Sequence, residues 1–413
     1  MVFTMRFSSR VNAGAMNPIA AAAAQAKAEG RPFGQLNDSN PTHHGLAPRF
    51  LPEAYTADPR GPLAARQAIA GFINSTRGRD GASQSPTELG TPARPVTPPA
   101  DPANIYVLSS TSEAYAWLAM LLCDPGDAIL MPKPGYPLIE SICNLTATRA
   151  IPYQQFFDGS WALDLGSIES ALRDGRGSIK AIAVINPNNP TGAYTKPEER
   201  RRLVELAQRY DAAIIADEVF YDFTLEPFPG NARWAGEQGV LTFSLDGFSK
   251  MLAAPHAKVG WIEVSGPETD VAQAERRLDM ISDDFLPMGN LIADEIPAML
   301  EEAPAQTARV AARVRGNMAV LRRLLDADKR DGDGVVDVLR SEGGWNVLVR
   351  FPSSIDENSL GLRLAHDFRM NCQPGYYFDM QSNGFLSISL LPEPETFERN
   401  VRIILEAVHR ELA

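Results

Sequence analysis

The sequence predicts an α/β protein, with a mostly parallel sheet in a large domain and a smaller α+β domain after it. From residue 104 onward, short apolar runs alternate with helical patterns, which is typical of a parallel sheet covered on both faces. After about residue 266 this alternation stops, and a long helical stretch is followed by isolated strands. The chain has 413 residues, of which 44% are apolar. Because one core rarely serves a chain of this length, two domains are expected.

Each element of the first unit is indicated by its own local pattern. Runs of apolar and β-branched residues predict strands at "IYVL", "DAILMPKP", "RAIPYQQF", "KAIAVI", "AAIIA" and "VLTFSL". The segments between them predict helices at "SEAYAWLAMLL", "YPLIESICNL", "LGSIESALRD" and "KPEERRRLVELAQRYD". Residues 76–104 are rich in Pro, Gly, Ser and Thr, so they are predicted to form a surface loop without a core or an assigned role.

The second unit is shorter and less regular. A long helix is predicted over "AQTARVAARVRGNMAVLRRLLDA", with strands at "WNVLVRFP" and "GFLSISLL". Two further helices are predicted near "SLGLRLAHDFR" and at the closing "ETFERNVRIILEAVHREL". The Ala-rich start of the chain lacks a basic region followed by a continuous apolar core, so it predicts a short helix and not a signal peptide.

Composition disfavours several classes of protein. The net charge is −12 and no block is rich in Lys or Arg, so nucleic acid is not an expected partner. No apolar run approaches the length of a membrane span. Three widely spaced cysteines and five histidines without zinc spacing predict neither a disulfide framework nor a metal site. The protein is expected to be cytoplasmic and reduced.

Polar side chains follow several predicted strands at their carboxyl ends, where ligands bind in α/β sheets. Ser109-Ser110-Thr111-Ser112 opens a helix after the first strand. Free N–H groups there favour a phosphate, although Ser110 with Glu113 suits a plain N-cap equally well. After the next strand, Tyr136 stands on a tight turn, either as a stacking platform or as packing.

The following strands end in an amide, a carboxylate and a lysine. "NPNNPTG" contains Asn189 in a constrained loop, Asp217 ends "AAIIA", and Lys250 follows "VLTFSL". Lys258 lies eight residues after Lys250. Buried charges of this kind are costly unless they are paired or neutralised. Pyridoxal 5′-phosphate needs this set, because a lysine forms its Schiff base, a carboxylate keeps its ring nitrogen protonated and a cation neutralises its phosphate.

The motifs "NPNNPTG", "ADEVFYDF" and "GFSK" together resemble the fold-type I pyridoxal-phosphate enzymes of aminotransferase class I/II. Asn189, Asp217 and Lys250 are separated by 28 and 33 residues, and the resemblance runs from about residue 39 to the C-terminal helix. It implies the aspartate-aminotransferase-like fold, with a mostly parallel sheet of the seven-stranded type. It also implies three parts: an N-terminal segment (1–48) joining the small domain, a large cofactor domain (49–285) with the loop insertion 76–104, and a small domain (286–413).

The resemblance implies a role for each matching residue. Lys250 resembles the Schiff-base lysine, Asp217 the partner of the ring nitrogen and Asn189 the donor to the ring oxygen. Tyr55 resembles the tyrosine that reaches the phosphate in the neighbouring subunit, which implies a homodimer. The other cofactor contacts that the resemblance implies are stacking by Tyr136 and phosphate binding by Ser110, Thr111, Ser112, Ser249 and Lys258.

The sequence departs from the family pattern at two positions. Phe220 stands where the family often has a tyrosine that donates to the ring oxygen, so Asn189 is expected to be the main donor there. Ser387 stands where most members have an arginine that grips the substrate carboxylate, and a hydroxyl cannot replace a bidentate guanidinium. The candidate substitutes are Arg350, Arg49 and the "SNPTHHG" loop that ends at Gly45.

Two enzymatic hypotheses follow for a small, amino-acid-like substrate. The first is an aminotransferase in which Lys250 moves the Cα proton. The second is a lyase, a β/γ-replacement enzyme, or a cyclising or C–C bond-forming enzyme on the same fold. A regulator's effector domain is disfavoured, because it needs a DNA-binding module in front and residues 1–50 are short and not basic.

Overall fold

The structure, a computed structural model, describes residues 17–38, 44, 58–77, 98–175, 177–226, 231–286, 288–330 and 334–413. The strands in these ranges are β1 (Gly34–Gln35), β2 (Ile105–Leu108), β3 (Ala128–Lys133), β4 (Arg149–Phe157), β5 (Trp161–Leu163), β6 (Ile179–Ile185), β7 (Ala213–Asp217), β8 (Thr242–Gly247), β9 (Gly260–Ser265), β10 (Asp337–Val338), β11 (Asn346–Arg350), β12 (Met370–Asn371), β13 (Gln373–Pro374) and β14 (Phe385–Ser389). The helices are α1 (Pro18–Ala28), α2 (Leu63–Arg77), α3 (Thr111–Leu122), α4 (Leu138–Leu145), α5 (Leu165–Gly175), α6 (Pro197–Tyr210), α7 (Phe248–Met251), α8 (Glu268–Phe285), α9 (Asn290–Ala293), α10 (Ile296–Arg330), α11 (Glu357–Asp367) and α12 (Pro394–Leu412).

The central sheet has eight strands in the order β2-β9-β8-β7-β6-β3-β4-β5. Strands β8, β7, β6, β3 and β4 pair in parallel, which confirms the predicted α/β fold with a mostly parallel sheet. The eighth strand, β5, adds three residues antiparallel to β4 at one edge. The apolar run after Lys258, to which no strand was assigned, forms β9 and lies antiparallel between β2 and β8.

Both faces of the central sheet are buried, which explains its continuous apolar runs. Along β6, Ala181, Ala183 and Ile185 face a core that includes α3 and α8 residues, whereas Ile182 and Val184 face a core shared with α5 and α6. Successive side chains point to opposite faces of a strand, so a strand covered on both sides is mostly apolar. The polar residues of the candidate site follow these strands at their carboxyl ends, whereas buried polar residues inside β8 and β9, such as Ser244 and Glu263, are hydrogen-bonded.

A second, antiparallel sheet of four strands, in the order β10-β11-β14-β13, is here called the C-terminal sheet. Its apolar face packs with residues of α10, α11 and α12. Helix α10 contributes to two cores: Ile296–Ala303 pack with α2, and Val310–Leu325 pack in the C-terminal core. Near the start of the chain, β1 pairs in parallel with β12, and α1 packs against α11.

Residues 78–97 of the predicted loop lie outside the described ranges, and the end of that loop is ordered by a local cap. Asp101 accepts a hydrogen bond from the Ala103 N–H at 2.8 Å and starts a short 3-10 turn over Pro102–Asn104 that leads into β2. Among the described helices, none combines the length and the apolar character that a membrane crossing requires.

Candidate active site

The candidate site lies where β2, β6, β7 and β8 end, at one edge of the central sheet. Parallel strands present their carboxyl ends to the same edge, so the residues that follow them meet in space. Helix α3 begins after β2, the "NPNNPTG" loop follows β6, Asp217 ends β7, and α7 with Lys250 follows β8. The sequence-predicted residues Ser110, Asn189, Asp217 and Lys250 thus share this edge.

The turn into α3 contains the N-cap that was one of the two functions considered for it. Ser110 is the N-cap, and its Oγ accepts a hydrogen bond from the Glu113 N–H at 3.1 Å. The Glu113 carboxylate accepts from the Ser109 N–H at 3.0 Å and from Ser109 Oγ at 2.5 Å. Thr111 and Ser112 occupy the first turn, where helix N–H groups have no intrahelical acceptor and the dipole favours an anion.

Strand β9 approaches this turn very closely. A Cβ atom at Gly260 would lie 2.9 Å from the Ser110 carbonyl carbon and 3.0 Å from the Thr111 nitrogen. Contacts of that length exclude a side chain, so glycine is required for the pairing of β9 with β2 beside the turn. No local sequence pattern predicts this constraint on Gly260.

Asp217 and Lys250 influence each other electrostatically. Burial raises the pKa of the Asp217 carboxyl to about 6, although the Val219 N–H, the Tyr115 hydroxyl and the charge of Lys250 favour its ionised form. The Val219 N–H donates to Asp217 Oδ1 at 3.3 Å. Burial lowers the pKa of the Lys250 ammonium to about 8, and the charge of Asp217 opposes that shift. The site therefore holds a carboxylate and an amine that are both poised to change protonation near neutral pH.

Two aromatic side chains enclose the Lys250 amino group. Lys250 Nζ lies 5.5 Å from the centroid of the Phe220 ring and 5.3 Å from that of Trp345. The two rings pack edge to face with 5.6 Å between centroids. Phe220 is therefore an apolar wall at this position. Trp345, which precedes β11 in the C-terminal sheet, was not predicted as a site residue, because nothing local to it shows that it reaches Lys250.

The "NPNNPTG" loop is held by hydrogen bonds on both sides. Asn189 Oδ1 accepts from Asn346 Nδ2 at 3.1 Å. Asn186 donates from Nδ2 to Glu218 Oε1 at 3.0 Å and accepts from the Thr195 N–H at 3.0 Å. These contacts define the path of the loop, which includes cis peptide bonds before Pro187 and Pro190.

Glu218, the residue after Asp217, has a supporting role that the sequence did not reveal. Its side chain is fully buried and accepts hydrogen bonds from Asn186 Nδ2, from the Trp234 N–H at 3.0 Å and from Ser244 Oγ at 2.9 Å. Three donors from separate segments satisfy the buried carboxylate, so it joins the segments after β6 and β7 to β8 and to the Trp234 backbone.

The remaining predicted cofactor contacts lie on other segments of the chain. Lys258 is exposed on the turn before β9, with a left-handed φ of 54°, and Ser249 is partly buried on α7. Tyr136 is 46% exposed on the turn after β3. Tyr55 lies outside the described residues, as do Arg49 and Gly45, which were predicted as substrate contacts.

The structure gives no support to Arg350 as a substrate residue. Arg350 is the last residue of β11, its side chain is half exposed, and it pairs with Asp337 at 3.3 Å. Asn346, at the other end of the strand, makes the contact with the site, and four residues of extended chain span about 13 Å. The sequence pattern predicts the strand that contains Arg350, but it does not show which end of the strand lies near the candidate site.

Ser387, where the family pattern breaks, is buried in the middle of β14. It pairs across the sheet with Leu348, is fully inaccessible, and its Oγ has no hydrogen-bond partner in the described part of the chain. No guanidinium projects from this position. The substrate side of the site is therefore built differently from the pattern that the resemblance implies.

Sequence relatives and solved structures place these features in context. Glutamate-pyruvate aminotransferase AlaA from Haemophilus influenzae is 28% identical over 275 residues, which cover 64% of this chain and 63% of that protein. S-alkyl-thiohydroximate lyase SUR1 from Arabidopsis thaliana is 29% identical over 252 residues, 59% of this chain and 48% of that protein. The chain thus matches less than two thirds of the length of either relative.

The fold matches over nearly the whole chain. Alanine aminotransferase from Pyrococcus furiosus superposes with a TM-score of 0.77 at 19% identity, covering 98% of this chain and 100% of that one. Tyrosine aminotransferase from Leishmania infantum gives a TM-score of 0.77 at 19% identity, covering 97% and 99%. The family model for aminotransferase class I and II matches residues 52–404. The chain therefore belongs to the aminotransferase class I and II family of fold-type I pyridoxal-phosphate enzymes.

Proposed function

We propose that the protein is a pyridoxal-phosphate-dependent aminotransferase that acts on an amino acid or a related amine. The observation that carries this proposal is the placement of Asp217 at the end of β7 and of Lys250 directly after β8, at the same edge of the sheet, where each charge acts on the pKa of the other. Relatives named glutamate-pyruvate aminotransferase and alanine aminotransferase support it.

The residues present fit the cofactor, which members of this family use. Burial raises the pKa of Asp217, and the N–H of a protonated ring nitrogen would satisfy and neutralise that carboxylate. At the other end, the first turn of α3 offers N–H groups to a phosphate.

When bound, pyridoxal 5′-phosphate supplies an aldehyde carbon that amines attack and a ring that accepts the electron pair left at the substrate Cα. Lys250 Nζ would hold the cofactor covalently. When it is not bound to the cofactor, the same Nζ would be the group that moves the proton of the substrate Cα. A pKa of about 8 suits an amine that must both accept and donate a proton near neutral pH.

Other side chains are proposed to control the charge of the cofactor. Asp217 keeps a proton on the ring nitrogen. Asn189 donates to the ring oxygen, and Phe220 has no hydroxyl to add a second donor. Phe220 and Trp345 present apolar rings to Lys250 Nζ, and such surroundings strengthen its electrostatic interaction with Asp217.

Further cofactor contacts are proposed for residues around Lys250 and Asp217. Tyr136 is proposed to stack on the cofactor ring, and Ser110, Thr111, Ser112, Ser249 and Lys258 to bind its phosphate. Tyr55 is proposed to reach the phosphate of the neighbouring subunit, which makes the active unit a homodimer. We also propose a cytoplasmic location, because Cys123, Cys143 and Cys372 are free thiols.

A lyase is the second candidate. The absence of an arginine at Ser387 favours it, because a substrate whose carboxylate is not gripped there is oriented differently for bond breaking at Cα or Cβ. The likeness to a plant S-alkyl-thiohydroximate lyase points the same way.

One experiment separates the two candidates. The cofactor-loaded enzyme is mixed with single amino acids, first without and then with a 2-oxo acid acceptor. An aminotransferase releases one equivalent of 2-oxo acid per site and then stops until the acceptor is added, because the amino group stays on the enzyme. Continuous release of ammonia without any acceptor would contradict the aminotransferase proposal and establish the lyase.

A further inference from the structure

A hydrogen bond joins the C-terminal sheet to the candidate site at one point. Asn346 Nδ2, on the first residue of β11, donates to Asn189 Oδ1 at 3.1 Å across a sequence separation of 157 residues. Asn346 is only 8% exposed. A buried contact between two amides is stronger and more directional than one in water.

In the structure the Asn189 amide has its oxygen directed to Asn346. An amide carries its oxygen and its nitrogen on the same carbon, so a group that holds the oxygen turns the nitrogen away from itself. With Oδ1 directed to Asn346, Asn189 presents its Nδ2 donor elsewhere. The reverse orientation would present an acceptor, which cannot stabilise a negatively charged ring oxygen.

Ser387, which replaces the arginine of the family pattern, lies on the same face of the C-terminal sheet as Asn346. Asn346 pairs with Ser389 on β14, and Leu348 pairs with Ser387, so all four side chains alternate onto one face. Ser387 Oγ meets no partner in the described part of the chain. On this face the hydrogen bond to Asn189 therefore comes from the neutral amide of Asn346.

We propose that Asn346 is a positioning residue that holds the Asn189 amide with Nδ2 directed at the cofactor ring oxygen. The inference rests on the proposed function, because it requires the cofactor to be bound at Lys250. Phe220 offers no hydroxyl, so the orientation of one amide controls the hydrogen bonding of that oxygen. The protonation of the cofactor then depends on the position of the C-terminal sheet.

The test is a pH titration of the visible absorbance of the lysine-bound cofactor. A donor to the ring oxygen stabilises the deprotonated chromophore more than the protonated one, so losing the donor raises the apparent pKa. Asn346→Leu is expected to raise it by about one unit, the effect of one hydrogen bond to a charged oxygen. Asn346→Asp is expected to raise it further, because a carboxylate accepts from Asn189 and turns the amide around. Asn346→Ser keeps a donor and is expected to recover part of the shift.

The matched control is Asn144→Asp, which makes the same chemical change at an exposed residue of α4. It is expected to titrate like the unmodified enzyme. Equal apparent pKa values in the unmodified enzyme, Asn346→Leu and Asn346→Asp would overturn the inference, and so would an equal shift in Asn144→Asp. Failure of cofactor binding at Lys250 is distinguishable, because the unmodified protein would then show no visible absorbance of a lysine-bound cofactor, and failure of the aminotransferase proposal is detected separately by the release of ammonia without an acceptor.

Discussion

The enclosure of Lys250 by two aromatic rings predicts how the apoenzyme captures its cofactor. Only a neutral amine attacks an aldehyde, so the capture rate follows the neutral fraction of Lys250. Burial lowers its pKa from the ordinary value of 10.5 to about 8. At pH 7.5 an amine with a pKa of about 8 is roughly 24% neutral, whereas one at 10.5 is roughly 0.1% neutral. The neutral fraction of Lys250 at this pH is therefore about 200-fold larger than that of an ordinary lysine.

Trp345→Ala removes one wall of this enclosure and admits water to Lys250 Nζ, which lies 5.3 Å from the indole centroid. Losing the ring also removes an attraction that favours the ammonium. Burial is the largest cause of the shift, so the net pKa is expected to rise. A rise of one unit lowers the neutral fraction at pH 7.5 about eightfold.

The assay follows the absorbance change when apoenzyme is mixed with pyridoxal 5′-phosphate between pH 6 and 10. The unmodified protein is expected to show a midpoint near 8, and Trp345→Ala a midpoint about one unit higher. Trp161→Ala is the matched control, because β5 lies five strands from β8, roughly 24 Å away. A midpoint near 10.5 in the unmodified protein, or the same midpoint in both, would refute the reasoning.

Three further predictions follow. Burial raises the pKa of Asp217 from 3.8 to about 6, so the apoenzyme is increasingly destabilised as pH rises from about 4 to about 6, where the carboxyl ionises in the unfolded chain but not yet in the folded one. Asp217→Asn is expected to exceed the unmodified apoenzyme in unfolding free energy by about 1.5 kcal/mol at pH 5 and about 3 kcal/mol at pH 7, measured by urea denaturation; a difference that does not grow with pH would contradict this. Lys258→Ala is expected to weaken cofactor binding about 10- to 100-fold in equilibrium titration, with Lys258→Arg milder; unchanged affinity would make it an ordinary surface lysine. Ser387→Arg forces a guanidinium against Leu348 and is expected to cost several kcal/mol of stability without raising turnover of common amino acids, so a stable variant with higher turnover would contradict the assigned packing.

The strand ends account for the part of the site that could be predicted from the sequence. Asn189, Asp217 and Lys250 each follow a buried strand, and parallel pairing brings such ends to one edge of a sheet. Trp345 and Asn346 could not be found in this way, because they reach the site from the C-terminal sheet. Their side chains are apolar or neutral and carry no local motif.

Local patterns do not show how strands and sheets pack, which explains why the predictions for Arg350 and β9 differ from the structure. Arg350 is the last residue of the strand that Asn346 opens, and which end faces the site depends on how the two sheets pack. Strand β9 was missed because the apolar run after Lys258 carries no signal that it returns between β2 and β8. Register and sheet order are properties of tertiary packing, which a local pattern does not encode.

Borohydride reduction tests most directly whether Lys250 binds the cofactor covalently. Reduction of the cofactor-loaded protein converts the lysine linkage into a stable secondary amine, and digestion with mass spectrometry then locates the modified residue. We expect the reduced cofactor on Lys250, in "DGFSK". The Lys250→Met variant is expected to carry no covalently bound cofactor after the same treatment. Label on Lys258, or equal labelling of the Lys250→Met variant, would contradict this expectation.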